Sequence, residues 1–378
     1  MFCYMKNTVN PIDYRRYTNV EWKQTHMECA AIKFNAKEGP LWRVRLTAND
    51  KEKTYVISFG FHHGCFDGLS SMKIEGVFMD VLNGVIDGQE IDLEETSLSP
   101  SMDSHIPKTE KSFKLRDFLQ FYDLVKEQLY GYRSPYLQVY NQPLKQSQKS
   151  DLNFHMIEFK DKDFVNLLKI SKQKGVTVNT TLTMIALVAM ARMLRESSDG
   201  CEFSFRCYFA FSLRAFLPKD MFYHGMYTLF YPITDYLINL ECQEFWKTAS
   251  DMSEDVNVFF KSKRIWDQIR VWWKIIKIMD RATEIVIKNN HNKWDFFFTN
   301  LGNASSHIKA ENKYTNVKSI CPSVYFPGTE TLWTHAFVSI QKCLTWTIIF
   351  DTKRISMAQT EKYAALIRQT FEKYIPDC

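Results

Sequence analysis

Phe61-His62-His63-Gly64-Cys65-Phe66-Asp67-Gly68 joins two apolar patterns of different period. Before it, Tyr55, Ile57, Phe59 and Phe61 alternate with Val56, Ser58 and Gly60. Period two predicts a strand. After it, Leu69, Met72, Val77, Phe78, Val81 and Leu82 recur at helical spacing. The octapeptide is therefore a polar turn between a strand and a helix. If the strand persists through the histidines, His63 shares the face of Phe61 and His62 the opposite one. One ring then faces a cavity while the other packs behind it. Asp67 or Ser70 is the expected cap of the helix, and Gly84 its expected stop.

Upstream, Gly39-Pro40 punctuates the chain. Residues 41–47 then place Leu41, Arg43 and Arg45 on one face and Trp42, Val44 and Leu46 on the other, a second strand. Asn49-Asp50-Lys51 is turn chemistry, so residues 41–47 and 53–63 form a hairpin. Earlier signals are weaker. Pro11 and the cluster from Tyr14 to Tyr17 predict an irregular start, and residues 20–34 a helix.

Downstream, residues 86–112 turn acidic and then rich in Ser and Pro, a surface loop. Helical spacing returns over 114–131. Pro135, Pro143 and the polar run 146–151 mark a lobe boundary, dividing the chain into 1–150 and 151–378. The second half opens with a strand at 153–159 and a helix at 161–174. Asn179 is the expected cap of an apolar helix over 180–194. Strands follow at 202–213, with Arg214 at its end, and around 226–233. Residues 240–290 read as helical and include an aromatic and basic stretch, 264–281. Strand 295–299 runs into Asn300-Leu301-Gly302, strands 336–341 and 344–350 come next, and Ser356 caps a terminal helix over 356–374. The order of elements repeats loosely, which fits two α/β lobes.

Composition narrows the class. Hydrophobic residues are 45% and charged residues 24%, which excludes a disordered chain. A net charge of +5 is too small to argue for nucleic acid. The nine cysteines are dispersed without a CxxC pair, which reads as reduced thiols and a cytoplasmic setting. The first residues lack the order of a signal peptide. No apolar run reaches the roughly 18 residues of a membrane span; the run 182–194 is short and contains Arg192.

Phosphate-loop, dinucleotide-binding, nucleophile-elbow and zinc signatures are all absent. A metal site on His62, His63, Cys65 and Asp67 is disfavoured because adjacent strand residues point apart, so no metal is expected. Cys65 as a nucleophile with His63 as its base is conceivable chemistry. A small buried residue in a turn is the simpler account.

His62-His63-Gly64-Cys65-Phe66-Asp67-Gly68 matches HHxxxDG without a mismatch. In this it resembles the CoA-dependent acyltransferase superfamily. That group includes chloramphenicol acetyltransferase, the condensation domains of peptide synthetases, plant BAHD enzymes and alcohol acetyltransferases. Four further segments look like family elements in the same order. They are Gly39-Pro40-Leu41-Trp42-Arg43-Val44, Val176-Thr177-Val178-Asn179-Thr180-Thr181-Leu182-Thr183, Ser212-Leu213-Arg214 and Asn300-Leu301-Gly302. The Asp-Phe-Gly-Trp-Gly element of the plant branch is missing, and the overall feel is nearest the alcohol acetyltransferase type.

The resemblance implies an α/β fold of two similar chloramphenicol acetyltransferase-like lobes, each a mixed sheet with helices, with the active-site channel at their interface. Family members carry a strand and a helix before the Pro-Leu-x-Arg strand. Little chain precedes it here, which points to an incomplete or remodelled first lobe. The implied catalytic turn is His63, Asp67 and Gly68, with His63 as general base. Asp67 holds the turn by pairing with Arg214, and Gly68 allows a tight turn. His62, Arg214 and Asn300 support the site on its substrate side. An N–H near Gly68, or the Asn300 side chain, would receive the oxyanion. Acyl-CoA is the implied co-substrate, with no permanently bound cofactor, and a small alcohol or amine the acceptor. Two other functions stay open: a non-catalytic or truncated homologue that binds a ligand or partner, and a condensation enzyme using carrier-protein thioesters. The stretch 264–281 has three readings: a solvated amphipathic helix, a lining for the acyl group or CoA, or a peripheral membrane contact.

Overall fold

The computed structural model describes residues 13–91, 119, 132, 134–140, 152–217, 225–242, 244–262, 265, 269, 294–324 and 331–376. The expected helix over 114–131 (apart from residue 119), the polar run 146–151, most of the loop 86–112 and nearly all of 264–281 lie outside these residues.

The first lobe comprises β1 (Asp13–Thr18), α1 (Trp22–Ala31), β2 (Trp42–Asn49), β3 (Thr54–Phe61) and α2 (Gly68–Ile86). Its strands form one mixed sheet, β1 parallel to β2 and β2 antiparallel to β3. The expected hairpin is present, with Trp42 opposite Phe61 and Val44 opposite Phe59.

The helix expected over 20–34 is present as α1, and a strand precedes it where an irregular start was expected, so the strand and helix thought to be missing before β2 are both there. β1 reads Asp-Tyr-Arg-Arg-Tyr-Thr and has no apolar alternation. It is held by charge. The Arg45 side chain is fully buried, donating to the Asp13 carbonyl at 2.8 Å and to Asp13 Oδ2 at 3.0 Å. Its Nε lies 3.6 Å from Glu28 Oε1 on α1, and Tyr17 Oη donates to the same carboxylate at 2.8 Å. One buried guanidinium thus ties β1, β2 and α1 together.

α2 is capped by Asp67, whose Oδ1 accepts from Ser70 N at 2.9 Å. Gly84 does not stop it. The helix runs to Ile86 and closes at Gly88, whose φ is +80°. There Gly88 N donates to the Val85 carbonyl at 3.1 Å and Gln89 N to the Gly84 carbonyl at 2.9 Å. That paired closure needs a residue at positive φ, which Gly88 supplies without strain.

α3 (Pro135–Tyr140) precedes the expected boundary at 150, but its Tyr136 packs in the core of the second half. With it stand β4 (Leu152–Lys160), α4 (Lys162–Gln173), α5 (Val178–Arg195), β5 (Glu202–Ser212), a 3-10 turn (Leu213–Phe216), β6 (Thr228–Asn239), α6 (Phe245–Lys261), β7 (Trp294–Asn303), β8 (Thr331–Ile340), β9 (Cys343–Asp351) and α7 (Met357–Tyr374), the second lobe. Six strands form a mixed sheet in the order β4-β9-β8-β7-β5-β6, with parallel pairing at β5–β7 and β7–β8. The two sheets are alike in being mixed, but the first has three described strands and the second six.

α5 is apolar nearly all round and buried from Thr180 to Ala191, the expected pattern for a helix at the centre of a core. Thr177, not Asn179, is its cap, accepting from Thr180 N at 3.1 Å. The helix starts at Val178, one residue before Asn179. Ser356 caps α7 as expected, in a reciprocal box with Gln359. Among the described residues no single helix is long and apolar enough to cross a membrane. α4 and α5 meet the length and composition together, but they are bent by 104° and α5 is core.

The lobes meet along α1 and α2. Trp22 packs on Phe154 of β4, and His26 Nε2 lies 2.8 Å from Ser323 Oγ. Met72 joins a cluster with Ala304, Ile308, Val338 and Ile340. A Cβ on Gly76 would stand 2.0 Å from the His307 carbonyl oxygen, so α2 seats directly on second-lobe backbone.

Candidate active site

β3 ends at Phe61, and the histidines occupy a tight turn. The strand alternation expected to set their directions therefore does not reach them. Cys65 N donates to the His62 carbonyl at 2.9 Å and closes the turn. His62 Nδ1 accepts from Gly64 N at 3.1 Å, and its ring meets Phe34 edge-on with centroids 5.8 Å apart. His62 thus braces the turn.

His63 Nδ1 lies 3.1 Å from the Phe66 carbonyl oxygen. A carbonyl only accepts, so Nδ1 carries the proton in the neutral ring. Nε2 is then the nitrogen with the lone pair. The ring is half-buried.

Asp67 is 2% exposed, and every acceptor direction of its carboxylate is used. Oδ2 accepts from Arg214 Nη1 at 2.6 Å, Tyr227 N at 2.9 Å and Thr228 Oγ1 at 3.3 Å. Oδ1 accepts from Arg214 Nη2 at 3.1 Å and from Ser70 N. Burial opposes the charged form, but the Arg214 guanidinium and the N–H donors outweigh it and hold the carboxyl below its ordinary value. Arg214 Nη2 also donates to Ser70 Oγ at 2.8 Å and to the Gly225 carbonyl at 3.2 Å, and its guanidinium lies over the Tyr227 ring. Ser70 Oγ in turn donates to the Gly225 carbonyl at 2.9 Å and lies 3.0 Å from Gly225 N. The network joins the start of α2, the 3-10 turn after β5 and the start of β6.

Gly68 has a different role from the one expected. It is the first residue of α2, and a Cβ there would stand 2.2 Å from Leu301 Cδ2. What it supplies is room for the second lobe. Leu301 belongs to Asn300-Leu301-Gly302, where the β7–β8 register shifts. Asn300 is exposed, and its Oδ1 accepts from Gly302 N at 2.8 Å, which leaves Nδ2 as its donor end.

Cys65 does not form a pair with His63. Its Sγ is 4.0 Å from His62 Nδ1, and burial pushes its thiol up, away from the thiolate a nucleophile needs. No group of three metal-ligating side chains occurs among the described residues.

A family model for alcohol acetyltransferase matches residues 16–307. The chain belongs to that family. It is an acyltransferase with the chloramphenicol acetyltransferase-like fold. Among solved structures it is similar to TRI3 trichothecene 15-O-acetyltransferase from Fusarium sporotrichioides, at 14% identity and TM-score 0.64, covering 89% of this chain and 70% of that one. It also resembles the epimerization domain from the third module of tyrocidine synthetase B, at 13% identity and TM-score 0.57 over 96% and 80%. The first condensation domain of the CDA synthetase gives 9% identity and TM-score 0.56 over 97% and 75%. No curated protein matches the chain.

In this alcohol acetyltransferase-family chain the structure brings His63, Asp67, Gly68 and Arg214 into one constellation, and Asn300 joins its edge through Leu301. Ser70, Gly225, Tyr227 and Thr228 complete it and were not foreseen. Ser70 had a local signal, as a possible cap. The others come from a stretch whose only mark is a glycine before a strand, here at a φ of +139°.

Proposed function

We propose that the chain is an acyl-CoA-dependent O- or N-acyltransferase. It transfers the acyl group directly from the thioester to a small alcohol or amine in the channel between the lobes, with His63 as general base. The supporting observation is the bond from His63 Nδ1 to the Phe66 carbonyl, which keeps the basic lone pair on Nε2. In the first step Nε2 takes the acceptor proton as its oxygen or nitrogen bonds to the thioester carbonyl carbon. The tetrahedral oxyanion then collapses, the carbon–sulfur bond breaks, and His63 returns the proton to the departing thiolate. General-base help of this kind contributes about 10² to 10⁴ in rate.

The oxyanion needs donors. The first two N–H groups of α2, on Gly68 and Leu69, have no acceptor among the described residues, and a helix N-terminus favours negative charge. Asn300 Nδ2 is a second source. Asp67 and Arg214 act by fixing the turn that aims His63.

Purified protein mixed with acetyl-CoA and a panel of alcohols and amines should release free thiol, and His63→Ala should abolish that release with an unchanged circular dichroism spectrum. Equal release from both proteins overturns the proposal. Replacing acyl-CoA with a carrier-protein thioester separates donor classes, since preference for the carrier would move the chain to condensation chemistry.

A further inference from the structure

Arg192 interrupts the apolar pattern of α5 in its last turn. The side chain is half-buried and reaches α7, where Nη1 donates to Thr370 Oγ1 and Nη2 to Gln369 Oε1, each at 3.0 Å. These bonds fix a cation at the rim of a cavity of about 460 Å³. The cavity lies where the C-terminal ends of α5 and α7 meet the chain leaving β6.

Its walls divide by chemistry. Val188, Leu240 and Tyr374 form an apolar side set against the second-lobe core. The Tyr374 ring is stacked on Phe245, with centroids 4.0 Å apart, so that wall is firm. Arg192, Arg195 and Lys373 form the charged side. Among the described residues no carboxylate lies within ion-pair distance of Arg192 or Lys373, and Arg195 has only Glu241, at 4.0 Å. Glu196 also lines the cavity, but Lys362 holds it at 2.6 Å. The six-stranded sheet separates this place from the His63 turn. Phe337, Trp346 and Ile348 face the core that α5 and α7 share, while Ala336 and Ile349 face the opposite way, toward Trp22 of the first lobe.

We propose that this cavity binds an amphiphilic monoanion, a straight-chain carboxylate with its head on Arg192 and Lys373 and its chain along Val188, Leu240 and Tyr374. Charge complementarity selects the head: a carboxylate gives two cations the partner they lack, and a guanidinium matches its planar oxygens. The apolar wall selects the body, since a chain laid on it leaves water. The volume falls in the range of about 300–1,000 Å³ usual for small-molecule sites. A dianionic phosphate fits less well. The carbonyl ends of two helices disfavour negative charge, and Glu196 adds to that repulsion. The site does not depend on the acyltransferase reading.

Calorimetric titration of the purified chain with sodium octanoate, 1-octanol and octyl phosphate tests this. Wild type should bind octanoate about tenfold more tightly than either of the others, the scale of a hydrogen bond to a charged group. Arg192→Gln and Lys373→Gln should each weaken octanoate several-fold and leave 1-octanol unchanged. Lys373 is exposed, so Lys373→Gln decides the matter if Arg192→Gln melts early. Octanoate seated elsewhere, such as in the channel beside His63, would bind both variants as it binds wild type. That result, no preference over 1-octanol, or a preference for octyl phosphate overturns the proposal.

Discussion

The carboxylate of Asp67 and the guanidinium of Arg214 lie 147 residues apart in the chain and meet through two bonds, at 2.6 and 3.1 Å. The acid is also the cap of α2, so one side chain starts a helix in the first lobe and anchors it to the second.

Arg214→Ala leaves a buried carboxylate without its counter-charge. Breaking such a pair costs about 3 kcal/mol or more, so we expect a fall of several degrees in melting temperature together with a large loss of activity. Asp67→Asn should lower both as well, since a neutral amide accepts fewer of the converging N–H groups. An Asp67→Asn protein that melts like wild type but is inactive would contradict the positioning role.

The same pair sets a pH dependence. The Asp67 carboxyl is held below its ordinary value in the folded state. Its contribution is therefore present above the unfolded-state pKa of about 3.9 and is lost as pH falls through the lower folded value. Melting curves from pH 7 downward should show the gap between wild type and Asp67→Asn constant near neutrality and closing only below about pH 4. A gap that widens on acidification would reverse the sign.

Two glycines of α2 should respond differently to alanine. At Gly68 the clash is with the end of the flexible Leu301 side chain; at Gly76 it is with backbone, the His307 carbonyl. Gly68→Ala should cost about 1–3 kcal/mol and be partly rescued by Leu301→Ala, while Gly76→Ala costs more and is not rescued. Equal losses, or additive effects of Gly68→Ala and Leu301→Ala, would show that the lobes are not seated this closely.

Cys65→Ser should keep most of the activity, because burial raises the thiol and its neighbour is His62 rather than His63. Loss of activity as severe as in His63→Ala would return Cys65 to the chemistry.

The turn itself was legible because its signals are local. Strand period, helix period and HHxxxDG all sit within adjacent residues. The partner of Asp67 was nominated by resemblance, since nothing in the chemistry of Arg214 points across so long a separation. β1 was illegible because its fixing groups are not its own apolar residues but Arg45 and Glu28 on neighbouring elements. Thr177 and Asn179 are both good caps two residues apart, and choosing between them needed the register of α5. Gly84 looked like a stop because a glycine inside a helix is a penalty, but the buried face of α2 carries the helix past it to Gly88. The clamp from Gly225, Tyr227 and Thr228 arrives through backbone groups, which residue identity does not advertise.

The clamp on Asp67 also orders events during synthesis. Residues 61–68 leave the ribosome early, but the groups that fix their shape, at 214, 225, 227 and 228, emerge much later. Until then the Asp67 carboxylate lacks the partners that make its burial tolerable, and the His63 turn has no reason to prefer its final geometry. A nascent or half-folded chain therefore carries the two histidines without their final geometry, which comes into being only when the lobes close on each other.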